Sequence, residues 1–350
     1  MLFHLGALIR LNEVGLLPLL KRISSVSGGS ITAGVLGLAW KSLRFQNGVA
    51  LNFAAMVVDP LRKIASKTID ISAIVRGLLL PGSISAALAK TYDKILFRGA
   101  SLSDLPNDEE GPRFIYNSTN LQTGDLWRFS NPYMADYKVG VVLNPAVSLA
   151  FVVAASSAFP PILSPAKLLI DEATFTRDSN LELQKHPYTT NPTLADGGIY
   201  DNLGLETVWK RYKRVLVSDG GGRLSPQTHP ITFWPLQTYR VLMIIDNQVR
   251  SLRKRQVIAG FKSPEDPHEG AYWGIGSHIE DFQVADCLDC PKSKTLELAE
   301  VPTRLGKLSD GTQERLINWG YAISDAAIRK HVDILIVPPK GFPFEKGLSA

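Results

Sequence analysis

Apolar positions along the chain alternate between helical and strand-like spacing. Leu5, Leu8 and Ile9 share one helical face and Gly15 can cap its end, so Phe3 to Val14 reads as a helix. A short strand then enters a tight turn at Ser27, and the small residues that follow, through Leu36, read as a second helix. From Leu51 to Phe97, Ile, Leu, Val and Ala recur at three- and four-residue steps between the breakers Pro60, Pro81 and Gly82, which predicts several short amphipathic helices. Asp104 to Pro112 reads as an acidic loop, and Phe114–Ser118 and Leu126–Phe129 as strands paired about Gln122-Thr123-Gly124. Asn144-Pro145-Ala146 opens a helix expected to run to Ser157, where Phe159-Pro160-Pro161 stops it. The polar stretch Ile170–Asn191 suggests a hairpin with a surface loop, Gly204–Tyr212 a helix, and Arg214–Ser218 a buried strand. Further on lie an apolar run, Val241–Ile245, a basic segment to Arg255, a helix over Gln313–Lys330 and a last strand, Val332–Val337. Strands alternating with helices argue a three-layer α/β domain with a mostly parallel central sheet.

The chemistry centres on Arg22-Ile23-Ser24-Ser25-Val26-Ser27-Gly28-Gly29-Ser30. Gly28 and Gly29 let the chain reverse and let the next helix approach the strand closely. A serine at such a turn projects its hydroxyl from the carboxyl end of a sheet. The N-terminus of the helix directs amides and a positive dipole end at the same place. This is the nucleophile-elbow pattern of serine acyl hydrolases, with Ser25 where G-x-S-x-G has its first glycine. The same turn also suits phosphate binding or close packing.

A distant second motif is Asp196-Gly197-Gly198-Ile199-Tyr200-Asp201-Asn202. A hydroxyl nucleophile needs a proton acceptor within hydrogen-bond reach, and an aspartate at a strand end before two glycines can approach another segment closely. Together, S-V-S-G-G-S and D-G-G-x-Y-D-N resemble the patatin-like phospholipases. Ala154–Pro161 and Asn117-Ser118-Thr119-Asn120 also look like family segments, so the resemblance covers most of Met1 to about Gly222.

The resemblance implies a Ser–Asp dyad without histidine, with Ser27 as nucleophile, Asp196 as base and the Gly28 amide as an oxyanion donor. It implies a three-layer patatin-like fold across residues 1–350, with a helical insertion at 50–100 after the nucleophile helix and a C-terminal extension at 223–350. No metal or other cofactor is expected. Asp196 is expected to gain basicity from partial burial beside an apolar cleft. The family also carries a strand and a glycine-rich oxyanion loop ahead of the first helix. Because this sequence starts at that helix, Met1 is expected to be an internal start, a truncation or the start of a shortened gene product, and the oxyanion site half built. A second D-G-G, Asp219-Gly220-Gly221, is a rival base, ranked behind Asp196 because it lacks the Tyr, Asp and Asn that follow the first. The expected activity is hydrolysis of phospholipid or other acyl esters. A catalytically weak lipid- or protein-binding relative and a phosphate-binding α/β protein stay open.

Composition adds little beyond a size of 350 residues, ample for a large core. The net charge of +5 gathers in Lys210–Arg214 and Arg250–Arg255. Without aromatic platforms or a recognisable module, these clusters do not point to nucleic acid. They suit either solvated helix faces or peripheral contact with an anionic membrane surface. No run approaches the ~18 apolar residues of a membrane span, and the N-terminus lacks the marks of a signal peptide. Cys287 and Cys290 form a lone C-x-x-C without a second ligand pair and read as loop thiols. A cytoplasmic location, peripheral to membrane, is expected.

Overall fold

The structure, a computed structural model, describes residues 1–68, 83–161, 163–178, 180–222, 224–230, 232–265, 268–302 and 306–348. Two of the breakers, Pro81 and Gly82, lie outside the described residues. The chain divides into two compact units: Met1, Leu11–Val208 and Leu305–Ser309 form the first, and Leu2–Arg10, Trp209–Arg304 and Asp310–Ala350 the second.

The first unit holds strands β1 (Arg22–Ser25), β2 (Phe45–Gln46), β3 (Val49–Ala50), β4 (Arg113–Asn120), β5 (Asp125–Phe129), β6 (Tyr133–Asp136), β7 (Gly140–Leu143), β8 (Ala166–Lys167) and β9 (Thr193–Asp196). β2 and β3 make a separate hairpin. The others form a seven-stranded sheet in the order β7-β6-β5-β4-β9-β8, with β1 also against β4. The protein is therefore α/β, but the expectation of a mostly parallel sheet is corrected. Among the described residues only the β1–β4 pairing in this sheet is parallel; β4–β5, β5–β6, β6–β7, β4–β9 and β8–β9 are antiparallel. For β4 through β7 the reason is connection length. Parallel neighbours need a crossover of a dozen or more residues, whereas short turns join β4 through β7 in series.

β4 is the central strand, and all but one of its residues are buried. The β4–β5 hairpin follows the sequence reading, with Tyr116 opposite Phe129 and Asn120 opposite Asp125. In the insertion the described helices are Ala54–Val58, Asp59–Ala65, Ser83–Tyr92 and Asp93–Phe97, the first and last with π-type bonding.

Three local expectations fail in this unit. The helix expected from Asn144 starts at Leu149. Its intended first turn is held extended instead: Leu102 N–H donates to Val147 O, Leu149 N–H to Ala100 O, and Ser101 bridges Ser148. Ile170–Asn191 forms no hairpin among its described residues; a short 3-10 turn, Glu172–Thr174, precedes a single bridge from Phe175 to Val142. Residues 206–211, which begin in this unit and run into the second, form turns rather than helix. There the Asp201 carboxylate accepts the Glu206 amide at 2.7 Å, a side-chain bond that competes with helical pairing.

In the second unit, β10 (Arg214–Asp219) pairs in parallel with β11 (Glu269–Gly274). The long helices Trp234–Lys262 and Asp310–His331 accompany them. The expected helix at Gln313–Lys330 is thus present, and Leu2–Arg10 of the helix Leu2–Glu13 packs on it without intervening side chains. A Cβ at Gly320 would fall 1.9 Å from Phe3 O, and one at Gly6 would fall 1.9 Å from Ile317 O. Asp325, buried on the same helix, accepts from Arg10 Nε at 2.8 Å and Arg329 Nε at 2.9 Å. His4 is half-buried; its Nδ1 lies 2.8 Å from Ser218 Oγ, and desolvation lowers its pKa to about 3. Val332–Val337 is not a strand. Asp333 accepts the Ile336 amide and, through its carboxylate, the Leu335 amide, while Ile334, Leu335 and Val337 lie exposed.

Candidate active site

β1 runs parallel to β4 and brings Ser25 opposite Tyr116; β9 runs antiparallel to it and brings Asp196 opposite Ser118. The two strands therefore approach each other head to head along β4, and the chain leaving β1 carries Ser27 towards the end of β9. Tyr116 and Ser118 are two residues apart, roughly 7 Å along a strand.

A shared backbone acceptor closes the remaining gap. Ser156 ends the helix Leu149–Ser156, and the last carbonyls of a helix have no intrahelical partner. Ser156 O receives the Ser27 amide at 3.0 Å and the Gly197 amide at 3.3 Å. Beside it, Ala158 O accepts the Asp196 amide at 2.9 Å, and Ser157 Oγ donates to Ser27 O at 3.1 Å. One helix end thus binds both motifs through main-chain bonds.

Ser27 is the N-cap of the helix Gly28–Ala39, with φ 51° and ψ −130°. A serine pays steric energy for that conformation, of order 1–3 kcal/mol. Gly29 and Ser30 donate back to Val26 and Ser27, while the Gly28 amide meets no acceptor among the described residues. Gly28 therefore offers a donor at the helix N-terminus, next to the Ser27 hydroxyl.

Asp196 is buried. Its Oδ1 accepts the Gly198 amide at 2.7 Å, and its carbonyl accepts Thr119 Oγ1 at 2.8 Å. Gly197 is required by close approach: a Cβ there would sit 2.3 Å from Asn117 O, which is backbone and cannot swing away. Gly197→Ala is expected to destabilise the protein by about 1–3 kcal/mol, read as a lower Tm, and to depress any hydrolytic rate with it.

Several supporting groups escaped the sequence reading as individual residues. Asn117 Nδ2 donates to Ser24 Oγ at 2.9 Å and to Ser25 O at 3.0 Å, fastening the strand before the elbow. Ser30 Oγ donates to Ser25 Oγ at 3.0 Å and lies 2.8 Å from Ser156 Oγ, and Ser156 Oγ donates to Asn117 O at 2.7 Å. Ser25, in place of the usual glycine, is part of this buried chain of hydroxyls. Tyr92, at the end of the helix Ser83–Tyr92, is fully buried. Desolvation, helped by the negative charge of Asp196, raises its phenol pKa well above the usual tyrosine range. The family-like segments at 117–120 and 154–161 foreshadowed this scaffold, but a hydroxyl network leaves no period in a sequence.

The rival Asp219 ends β10 in the second unit, and both of its carboxylate oxygens are engaged. Oδ1 accepts the Gly221 amide at 2.9 Å and Oδ2 accepts the Tyr272 hydroxyl at 2.7 Å. Cys287 and Cys290 are free thiols; burial raises the pKa of Cys287 and pushes that of Cys290 up to about 12. Among the described residues, no group of three or more His, Cys, Asp or Glu is arranged to hold a metal ion, and no helix is long and apolar enough to cross a membrane.

Residues 1–209 match the family model described as patatin-like phospholipase. Among solved structures, VipD from Legionella pneumophila is similar at 13% identity and a TM-score of 0.35, over 92% of this chain. The chain spans 63% of the VipD chain, and a likeness this weak carries no argument. No curated protein matches the chain.

Proposed function

The chain belongs to the patatin-like phospholipase family, and we propose that it is a lipid acyl hydrolase in which Ser27 is the nucleophile and Asp196 the base. The family membership points to acyl-ester hydrolysis of lipids; the residue roles and the family's three-layer arrangement are our reading. The observation that carries it is the Ser156 carbonyl, which accepts amides from both motifs and so brings the elbow serine and the Asp-Gly-Gly strand end to one place.

In this mechanism Ser27 Oγ attacks the ester carbonyl carbon while its proton passes to the Asp196 carboxylate. The tetrahedral oxyanion develops beside the Gly28 amide, whose donor strengthens as charge accumulates. Collapse breaks the bond to the alcohol oxygen, which takes the proton from Asp196 and leaves an acyl-serine. Water then attacks the acyl carbonyl, gives a proton to Asp196, and the fatty acid departs as the proton returns to Ser27 Oγ. No histidine is needed, because one buried carboxylate handles the proton in both halves.

A fluorophosphonate probe tests the reading. The expected result is stoichiometric labelling of the folded chain, with the adduct mapped by peptide mass to Ser27. Absence of labelling, together with lipid binding, would instead fit a catalytically weak lipid-binding relative.

A further inference from the structure

The helix Trp234–Lys262 keeps an apolar stripe in solvent. Trp234, Val241, Ile245 and Leu252 follow the spacing i, i+7, i+11 and i+18, which brings all four to one face of a helix. They are 71%, 48%, 50% and 51% exposed, and Leu242 and Ile244 beside them are exposed as well. Val257 is the buried residue of this helix. A core-facing helix would have turned the stripe inward.

The same helix is strongly basic. Arg240, Arg250, Arg253, Lys254, Arg255 and Lys262 stand against Asp246 alone, a surplus of +5 that equals the formal net charge of the whole chain. Some of these charges are tied to the protein: Arg240 donates to Ser225 O, Arg250 to Gly222 O, and Lys254 lies over the Tyr272 ring at 5.0 Å. Arg255 stays exposed and bonds back within the helix, to Ser251 O.

We propose that the exposed apolar stripe of the helix Trp234–Lys262, with the basic charge around it, docks the protein onto an anionic lipid bilayer surface. The apolar side chains enter the boundary between headgroups and acyl chains, with the helix lying in the plane of the interface, while the cations meet anionic headgroups. Trp234 suits that boundary, having an apolar ring and one N–H for the wet side. The charge argues against a second copy of this chain as the occupant, since pairing the helix with itself would bring together two helices that each carry a surplus of +5. The apolar stripe argues against nucleic acid, where phosphates would meet Trp234, Val241 and Ile245. The inference rests on this helix and not on the roles of Ser27 and Asp196.

The test is sedimentation of the full chain with vesicles of phosphatidylcholine alone or mixed with phosphatidylserine, at physiological salt. Binding is expected to be at least roughly tenfold tighter to the anionic vesicles and to weaken as salt rises. Val241→Glu/Ile245→Glu, at two exposed positions, is expected to keep the parent Tm and lose at least roughly tenfold in binding. Its turnover of a water-soluble short ester should match that of the parent. Failure of the acyl-hydrolase reading would show as inactivity of the parent on that ester with vesicle binding intact. Equal affinity for the two vesicle types, unchanged binding by the double variant, or a parent dimer that the double variant dissolves would each overturn the docking role. Should the double variant lose Tm, Trp234→Ala replaces it, with the same loss expected and undiminished binding overturning the proposal.

Discussion

Ser27→Ala is expected to lower kcat on a short p-nitrophenyl ester by at least about 10³-fold, because it removes the atom that forms the acyl-enzyme. The fluorophosphonate adduct should vanish with it. Stability should barely change, since alanine inherits the same φ of 51° and the hydroxyl fills no core site. Ser27→Gly makes the matching structural statement. It too should be inactive, but glycine adopts positive φ without a Cβ clash, which offsets its greater entropy in the unfolded chain. Its Tm is therefore expected to equal or exceed that of Ser27→Ala. Retention of substantial turnover by Ser27→Ala would remove Ser27 as the nucleophile. A Ser27→Gly protein clearly less stable than Ser27→Ala would remove the argument that the elbow is strained.

The second large effect separates the two aspartates. Asp196→Asn is expected to cost about 10²–10⁴ in kcat, the usual contribution of a general base, with Tm close to the parent. The asparagine oxygen can still accept the Gly198 amide that Oδ1 now holds at 2.7 Å, so geometry survives while the proton acceptor is lost. Asp219→Asn should do the opposite. Asparagine puts an NH2 donor where one of the two accepting oxygens stood, so the bond from the Gly221 N–H or from the Tyr272 hydroxyl must break or reverse, at about 1–3 kcal/mol. That variant should melt lower and, below its transition, turn over ester at nearly the parent rate. The reverse pattern, with activity lost in Asp219→Asn and kept in Asp196→Asn, would transfer the base to Asp219.

Much of the local structure could be read from short stretches of sequence. Gly28 and Gly29 after a strand-like run mark the elbow, and the structure has Ser27 at positive φ at the head of a helix. Gln122-Thr123-Gly124 between two apolar runs marks the β4–β5 hairpin, and the apolar spacing of Leu5, Leu8 and Ile9 marks the first helix. Each depends on backbone preferences within a few residues, or on a period, and neither needs a distant partner.

What the sequence alone determined, then, was the family, the α/β class, the elbow and the two candidate residues that its motifs single out. Tertiary structure decided what depends on distant partners. Strand direction followed from how β4 through β7 connect, and the start of the helix at Leu149 from pairing with residues 100–102. The two motifs meet through the Ser156 carbonyl, a main-chain atom that no residue type announces. Asp219 and Asp196 look alike in sequence, both Asp-Gly-Gly at a strand end, and the Tyr272 hydroxyl that β11 brings to Asp219 is a partner no local motif announces. The apolar runs at 241–245 and 332–337 look like core material, yet much of each lies in solvent. Hydrophobicity gives the free energy to be gained by burial, but the arrangement of the other elements decides whether there is a surface to bury against.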